Sequence, residues 1–276
     1  MALYAFDGTW QEEEEEAGFT NSNIVRFRDA YDGPVFYYRG IGTKGGKILR
    51  LIAGGTGLGG ELRIDDAKDD LKRQLKAGDR TVDVIGFSRG AALAIDFTNE
   101  IVKTLRREGL RIRFLGLFDT VHSFGAAGIN FNLFHKPDVP EIVDHCYHAL
   151  ALDERRGTFA RTPTSNGYQV WFRGAHSDIG GGNGNAGLNC IALRWMLCKA
   201  RAVGVPIRRG AIEALAASID KNAAIRAARF DPIADPFRIV GASDRIHYSV
   251  AARQGHNNPP PGFTVETEAD EQSLGR

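Results

Sequence analysis

Apolar residues in this chain gather into short runs, and longer segments between the runs repeat them every three or four positions. The runs are Ala2 to Phe6, Val35 to Tyr38, Val82 to Phe87, Arg111 to Phe118 and Tyr168 to Arg173. Each is short, and the aromatic and β-branched residues in them suit strands buried on both faces. Asn23 to Tyr31 places Ile24, Val25, Phe27 and Ala30 at helical spacing, with Asn21 or Ser22 in position to cap it. Glu61 to Ala77 reads as a charged amphipathic helix with Leu62, Ile64, Ala67, Leu71 and Leu75 on its apolar face. A helix is predicted from Ala91 to about Arg107, a half-buried one over Ile191 to Ala202, and an Ala-rich one over Arg208 to Arg229. Strands that alternate with helices predict an α/β fold: a mostly parallel sheet with helices on both faces, in one domain over residues 1–253. Residues 254–276 are polar and Pro-rich and read as a tail, an ordered strap at best.

Between these elements lie stretches with no period. Glu12 to Glu16 is a solvated acidic run, and Gly40 to Gly60 is glycine-dense. The glycine stretch lacks a G-K-[ST] ending and the G-x-G-x-x-G spacing after a strand, so a nucleotide site is excluded. Gly125 to Pro140 mixes Gly, Asn and Pro with Phe131, Leu133 and Phe134, a lid-like excursion suited to an acyl chain or to the core.

Composition narrows the partners. Among 276 residues the net charge is +1, which gives no general attraction for nucleic acid or an anionic membrane. The N-terminus has no basic, apolar leader, and no apolar run approaches the ~20 residues of a membrane span. The expectation is a cytoplasmic protein, or one exported by a route that needs no signal peptide, that meets membranes only through transient surface contact. Cys146, Cys190 and Cys198 have no metal-ligand spacing and read as reduced structural thiols.

The chemistry centres on Gly86-Phe87-Ser88-Arg89-Gly90. A strand before this G-x-S-x-G and an Ala-rich helix after it make the context of a nucleophile elbow. The flanking glycines leave room where strand and helix nearly touch, and Ser88 sits at a strained turn. A serine hydroxyl needs a base, and an imidazole base needs a carboxylate to fix its tautomer. In hydrolases built on an elbow the chain order is Ser, acid, His. Asp178 and Asp119 both sit at strand ends downstream of Ser88, Asp178 at the usual two-step position and Asp119 one step on. His247 and His256 are the histidines beyond Asp178, and His247 lies nearer the folded part. His176, two residues before Asp178, would break the order if paired with it, so it reads as a supporting residue. Asp7-Gly8-Thr9-Trp10 ends the first strand and is a second candidate loop, with Asp7 shaping the turn. An oxyanion hole would combine the Arg89 backbone N–H with one from Gly8 or Thr9. No metal or cofactor is expected. The competing readings are a metal-assisted hydrolase using Asp7, Asp119, Asp178 and His176, and a catalytically inactive binding module.

Several motifs in order give the chain a resemblance. They are Phe6-Asp7-Gly8-Thr9-Trp10, Thr20-Asn21, Gly86 to Ala91, Phe118-Asp119-Thr120-Val121, His148 to Arg156, Trp171 to Gly182, and Ile246 to Val250. Together they resemble the α/β-hydrolase-type family once labelled domain of unknown function 2235, which includes the catalytic domains of type VI secretion phospholipase effectors. The resemblance implies a triad of Ser88, Asp178 and His247 that hydrolyses esters, with phospholipids as the known effectors' substrates. In length the chain departs from those effectors, and the expectation is the short tail in place of their long C-terminal membrane-binding module.

Overall fold

The computed structural model describes residues 1–8, 21–40, 58–105, 108–121, 138–156, 164, 166–226, 237–259 and 261–274. The acidic run, most of the glycine-dense stretch and most of the lid-like excursion lie outside them. Along β1 (Ala2–Phe6), Ala2, Tyr4 and Phe6 face one apolar core and Leu3 and Ala5 the other. That alternation is the period-2 geometry of a strand buried on both faces. The same holds for β3 (Thr81–Phe87), where Val82 and Val84 join one core and Ile85 and Phe87 the other. With β2 (Val35–Tyr38), β4 (Arg111–Phe118), β5 (Cys146–Ala151), β6 (Tyr168–Phe172), β7 (Arg245–His247) and β8 (Thr264–Glu266), they form one eight-stranded sheet. Its order is β2-β1-β3-β4-β5-β6-β7-β8, and each neighbouring pair is parallel.

Helices cover both faces. α1 (Asn23–Ala30) and α5 (Ala186–Ala202) pack on one, and α2 (Leu58–Lys76) and α3 (Arg89–Leu105) on the other. Ser22 caps α1 by accepting the Val25 N–H at 3.2 Å. The order reverses at β1: the chain first steps to β2 on one side and then to β3 on the other. Such a switch point opens a crevice at the carboxyl ends of the flanking strands, where open α/β sheets bind ligands. The turn after β1 and the elbow after β3 both sit there. No helix among the described residues is long and apolar enough to cross a membrane.

Three expectations change. The Ile191 helix starts at Ala186 and is buried almost all round, including Lys199, rather than half-buried. Its outer side is covered by the segment after it and by the C-terminal residues. The Ala-rich segment is not an α-helix over its described residues, 208–226: among them only Glu213–Ser218 is helical, as a single 3₁₀ element. Gly210 at φ +82° breaks the backbone before it, and the Asp220 N–H pairs with the Gly187 carbonyl of α5. Tertiary packing here overrides alanine's helix propensity. The polar tail is ordered where described, and supplies β8 and the short α6 (Glu268–Glu271). Glu266 on β8 is fully buried against Lys199, with Nζ to Oε1 at 2.8 Å.

Candidate active site

Ser88 occupies a left-handed backbone conformation, φ +58°, between β3 and α3. For a residue with a Cβ this costs roughly 1–3 kcal/mol, so the surrounding structure must hold it there. Gly86 and Gly90 make the turn sterically allowed. A Cβ on Gly86 would stand 2.6 Å from Ala91 Cα, and one on Gly90 would stand 2.4 Å from the Phe6 and Asp7 carbonyl oxygens. The Ser88 N–H donates to the Phe118 carbonyl at 3.0 Å, and its own carbonyl accepts from Ala91 and Val121. The elbow is thus clamped between the ends of β1 and β4.

The Ser88 hydroxyl meets His176. Ser88 Oγ lies 2.9 Å from His176 Nε2, and His176 Nδ1 lies 2.6 Å from Asp119 Oδ2. All three side chains are buried. Asp119 follows β4 and is the other described non-glycine residue with positive φ, at +39°. Its Oδ1 accepts the Ala151 N–H at 2.9 Å and the Arg238 guanidinium at 2.6 Å. His176 opens the short helix α4 (His176–Gly180) after β6. Its N–H donates to Glu154 Oε2 at 3.2 Å, and its ring packs on Phe87 with centroids 4.7 Å apart.

Charge in this cluster is set by burial, by the Arg238 cation and by neighbouring carboxylates. Burial pushes the Asp119 carboxyl up, but the Arg238 charge and the His176 hydrogen bond pull it well below the usual carboxylate range. Burial holds the His176 imidazole below its ordinary value, against the opposing pull of Asp119 and Glu154. Near neutral pH the site therefore has an ionised aspartate, a neutral imidazole and a hydroxyl in hydrogen-bonding series. That is the resting state of a general-base pair in front of a nucleophile.

Of the residues expected from sequence, Ser88, His176 and Asp119 converge, while Asp178 and His247 do other work. Asp178 Oδ1 accepts from Asn183 at 2.9 Å and Asn185 at 2.7 Å, and Oδ2 from the Ala175 and Arg226 amides, both at 2.9 Å. Its carboxylate ties together the loops that deliver His176. His247 is fully buried, with Nδ1 2.7 Å from Ser249 Oγ and Nε2 2.8 Å from Glu271 Oε1. Both ring nitrogens are thereby engaged away from Ser88. The expected Ser88, Asp178 and His247 series gives way to Ser88, His176 and Asp119 in the geometry. His256 has no place in it.

The oxyanion donors divide likewise. Arg89 is the first residue of α3, where helix geometry leaves the N–H without an intrahelical acceptor. The Gly8 N–H instead donates to Asp7 Oδ1 at 2.7 Å, and Thr9 lies outside the described residues. Asp7 also accepts from Ser22 Oγ at 2.6 Å and Tyr37 Oη at 2.7 Å, so it shapes the turn as expected. Burial raises its carboxyl despite these donors. Among the described residues no group of three or more His, Cys, Asp or Glu side chains is arranged to hold a metal ion. The carboxylates of Asp7, Asp119 and Asp178 are each taken up by protein donors. The three cysteines are buried and unpaired with one another.

Nothing in the sequence singles out Arg238. It stands between Phe237 and Ile239, outside every motif, and no local pattern marks it. The His176–Asp119 pair does carry a signal. Both residues follow strands, and Ser88, Asp119, His176 keep the Ser, acid, His order that His176 with Asp178 breaks.

Comparison with known proteins adds the lineage. No curated protein sequence matches the chain. Solved structures match it, among them the following two. One is the crystal structure of an uncharacterized protein from Pseudomonas aeruginosa, at 19% identity and a TM-score of 0.52, over 78% of this chain and 48% of that one. The other is the Tle1 effector bound to the VgrG spike from the type 6 secretion system, at 24% identity and a TM-score of 0.48, over 66% of this chain and 51% of that one. The chain spans about half the length of each, and the first shares its fold. The family model described as "T6SS, Phospholipase effector Tle1-like, catalytic domain" matches residues 3–98 and 93–199, more than half of the chain, and the chain belongs to that family.

Proposed function

We propose that the chain is a serine hydrolase that cleaves carboxylic esters, of phospholipase type, through Ser88, His176 and Asp119. The observation that carries this is the hydrogen-bonded series Ser88 Oγ, His176 Nε2, His176 Nδ1, Asp119 Oδ2, with contacts of 2.9 and 2.6 Å on a serine at positive φ. Ser88 Oγ attacks the ester carbonyl carbon as its proton passes to His176 Nε2. The tetrahedral oxyanion faces the Arg89 N–H, and one such donor is worth about 3 kcal/mol in the transition state. Collapse breaks the bond to the alcohol, which leaves with the proton from His176, and the acyl group stays on Ser88. Water then attacks the acyl-enzyme, gives its proton to His176, and releases the acid and the free hydroxyl. Asp119 stays ionised throughout, holding the imidazole tautomer and stabilising the imidazolium.

Membership of a family described as a type VI secretion phospholipase effector catalytic domain supports a phospholipid as the ester and that system as the route of export. A panel of short p-nitrophenyl esters and phospholipid vesicles, run on wild type and Ser88→Ala, tests both points. Turnover of vesicles that vanishes in Ser88→Ala is expected. Equal turnover by the two proteins refutes the serine mechanism, and cleavage of short esters alone refutes the phospholipid assignment. Fluorophosphonate labelling should map to Ser88.

A further inference from the structure

We propose that Arg238 is a positioning residue of this site, one that aims the Asp119 carboxylate and sets the pH at which His176 becomes a base. The proposal rests on the triad reading above. Asp119 presents two oxygens with separate duties: Oδ2 meets His176, and Oδ1 is held by the Ala151 N–H and by Arg238 Nη1. The same Nη1 donates to the Ala151 carbonyl at 3.0 Å, so the guanidinium is anchored to the end of β5 as well as to the acid. The pair is almost fully buried, where an ion pair is weakly screened. Fixing one oxygen leaves a single orientation for the other, so His176 meets Oδ2 without a search over carboxylate rotamers.

The charge has a second effect. An imidazolium at His176 would be stabilised by Asp119 alone, but here the carboxylate already faces a permanent cation. The other charged groups at His176 are Glu154, which takes its N–H, and Arg156, which pairs with Glu154 at 2.8 Å. Each carboxylate near the imidazole thus has its own arginine, and the site resists protonation.

Arg238 itself is held from an unexpected quarter. Its carbonyl accepts from Asn257 Nδ2 at 2.7 Å, and that amide also donates to the Leu152 carbonyl at 3.0 Å. The Asn257 N–H reaches Asp153 Oδ1 at 2.9 Å, and the Asn257 carbonyl accepts from Arg173 at 2.7 Å. Arg173 in turn pairs with Asp153 at 3.0 Å. The polar, Pro-rich segment is therefore wired to the catalytic acid through one arginine.

The test is the titration of the His176 imidazole, followed by ¹⁵N chemical shift in wild type, Arg238→Met and Arg238→Lys. Removing the cation should raise the His176 pKa by about one unit, and lysine should keep it near wild type. An unchanged pKa in Arg238→Met overturns the proposal. Should that variant fail to fold, Arg238→Gln carries the same expectation and the same refutation. On a p-nitrophenyl ester, the acid limb of kcat/KM should move upward in step in Arg238→Met, whereas a residue that only stabilised the fold would lower the plateau and leave the limb in place. If wild type neither turns over any ester nor labels at Ser88, the hydrolase reading falls, and the titration still decides the role of Arg238.

Discussion

Among the described residues two histidines are set between a serine and a carboxylate, and they are built for different ends. His176 joins Ser88 to Asp119 beyond the carboxyl ends of β3, β4 and β6, and His247 joins Ser249 to Glu271 under the C-terminal segment. At His176 the serine meets Nε2 and the acid Nδ1; at His247 the two are exchanged. Ser88 lies far from His176 in sequence and sits at strained φ, with the first N–H of α3 beside it. Ser249 is two residues from His247 and lies in a short 3₁₀ element, Tyr248–Ala252, whose first turn His247 caps. Glu271 is also paired with Arg194. The lesson is that a Ser, His and acid set becomes a candidate catalyst only when the backbone holds the serine outward and supplies an oxyanion donor. Without them the same three groups fasten a chain end.

The largest expected effect breaks the first set. Ser88→Ala and His176→Ala should each lower kcat/KM by about a million-fold, because the nucleophile and its base act as a unit. A residual rate near wild type in either would remove the distinction between the two sets. Asp119→Asn should cost about 10⁴-fold in kcat through the wrong histidine tautomer.

Asp178→Asn sharpens the comparison from outside. It leaves His176 untouched but puts an amide among four N–H donors, a mispairing worth roughly 1–3 kcal/mol. Its activity loss should be well below that of Asp119→Asn in the same assay, and the reverse order would return the acid to Asp178. In the second set, His247→Leu should cost about 1–3 kcal/mol in urea unfolding, since Glu271 Oε1 loses a buried hydrogen-bond donor while Arg194 still pairs its charge. The kcat/KM of the folded fraction should stay near that of wild type.

The smallest effect is a pH dependence of stability. Burial lowers the His247 imidazole below its value in the unfolded chain, against the pull of Glu271. The unfolded state then binds more protons between the two values, so this contribution is present above pH ~6.5 and is lost as pH falls toward the folded value. His176 acts in the same direction. Thermal melts should show a shallower acid-side loss in His247→Leu than in wild type, and parallel curves would contradict the assignment.

Much of this was legible in the chain itself. The bounds of β2 and β4 and the cap of α1 follow from local apolar runs and a serine, and the elbow from two glycines whose absent side chains are sterically required. The partners of Ser88 were harder to read, because strand ends separated by whole crossovers meet only in the sheet. Asp178 and His247 both looked apt in isolation, and each is a buried, fully bonded polar group that sequence cannot tell from a catalytic one. Arg238 was invisible for a related reason: its importance lies in a contact with Asp119 across 119 positions of chain.

The eighth strand has a practical consequence for anyone shortening the protein. A polypeptide stopped after Arg253 looks harmless from composition, yet it strips the outer neighbour from β7. Three residues of unpaired backbone, Arg245–His247, would then face solvent as an open template for another chain. Lys199 would lose its carboxylate and its two carbonyl acceptors together, and His247 would lose Glu271. Such a fragment should emerge from expression as edge-to-edge aggregate, even with Ser88, His176 and Asp119 all present in it.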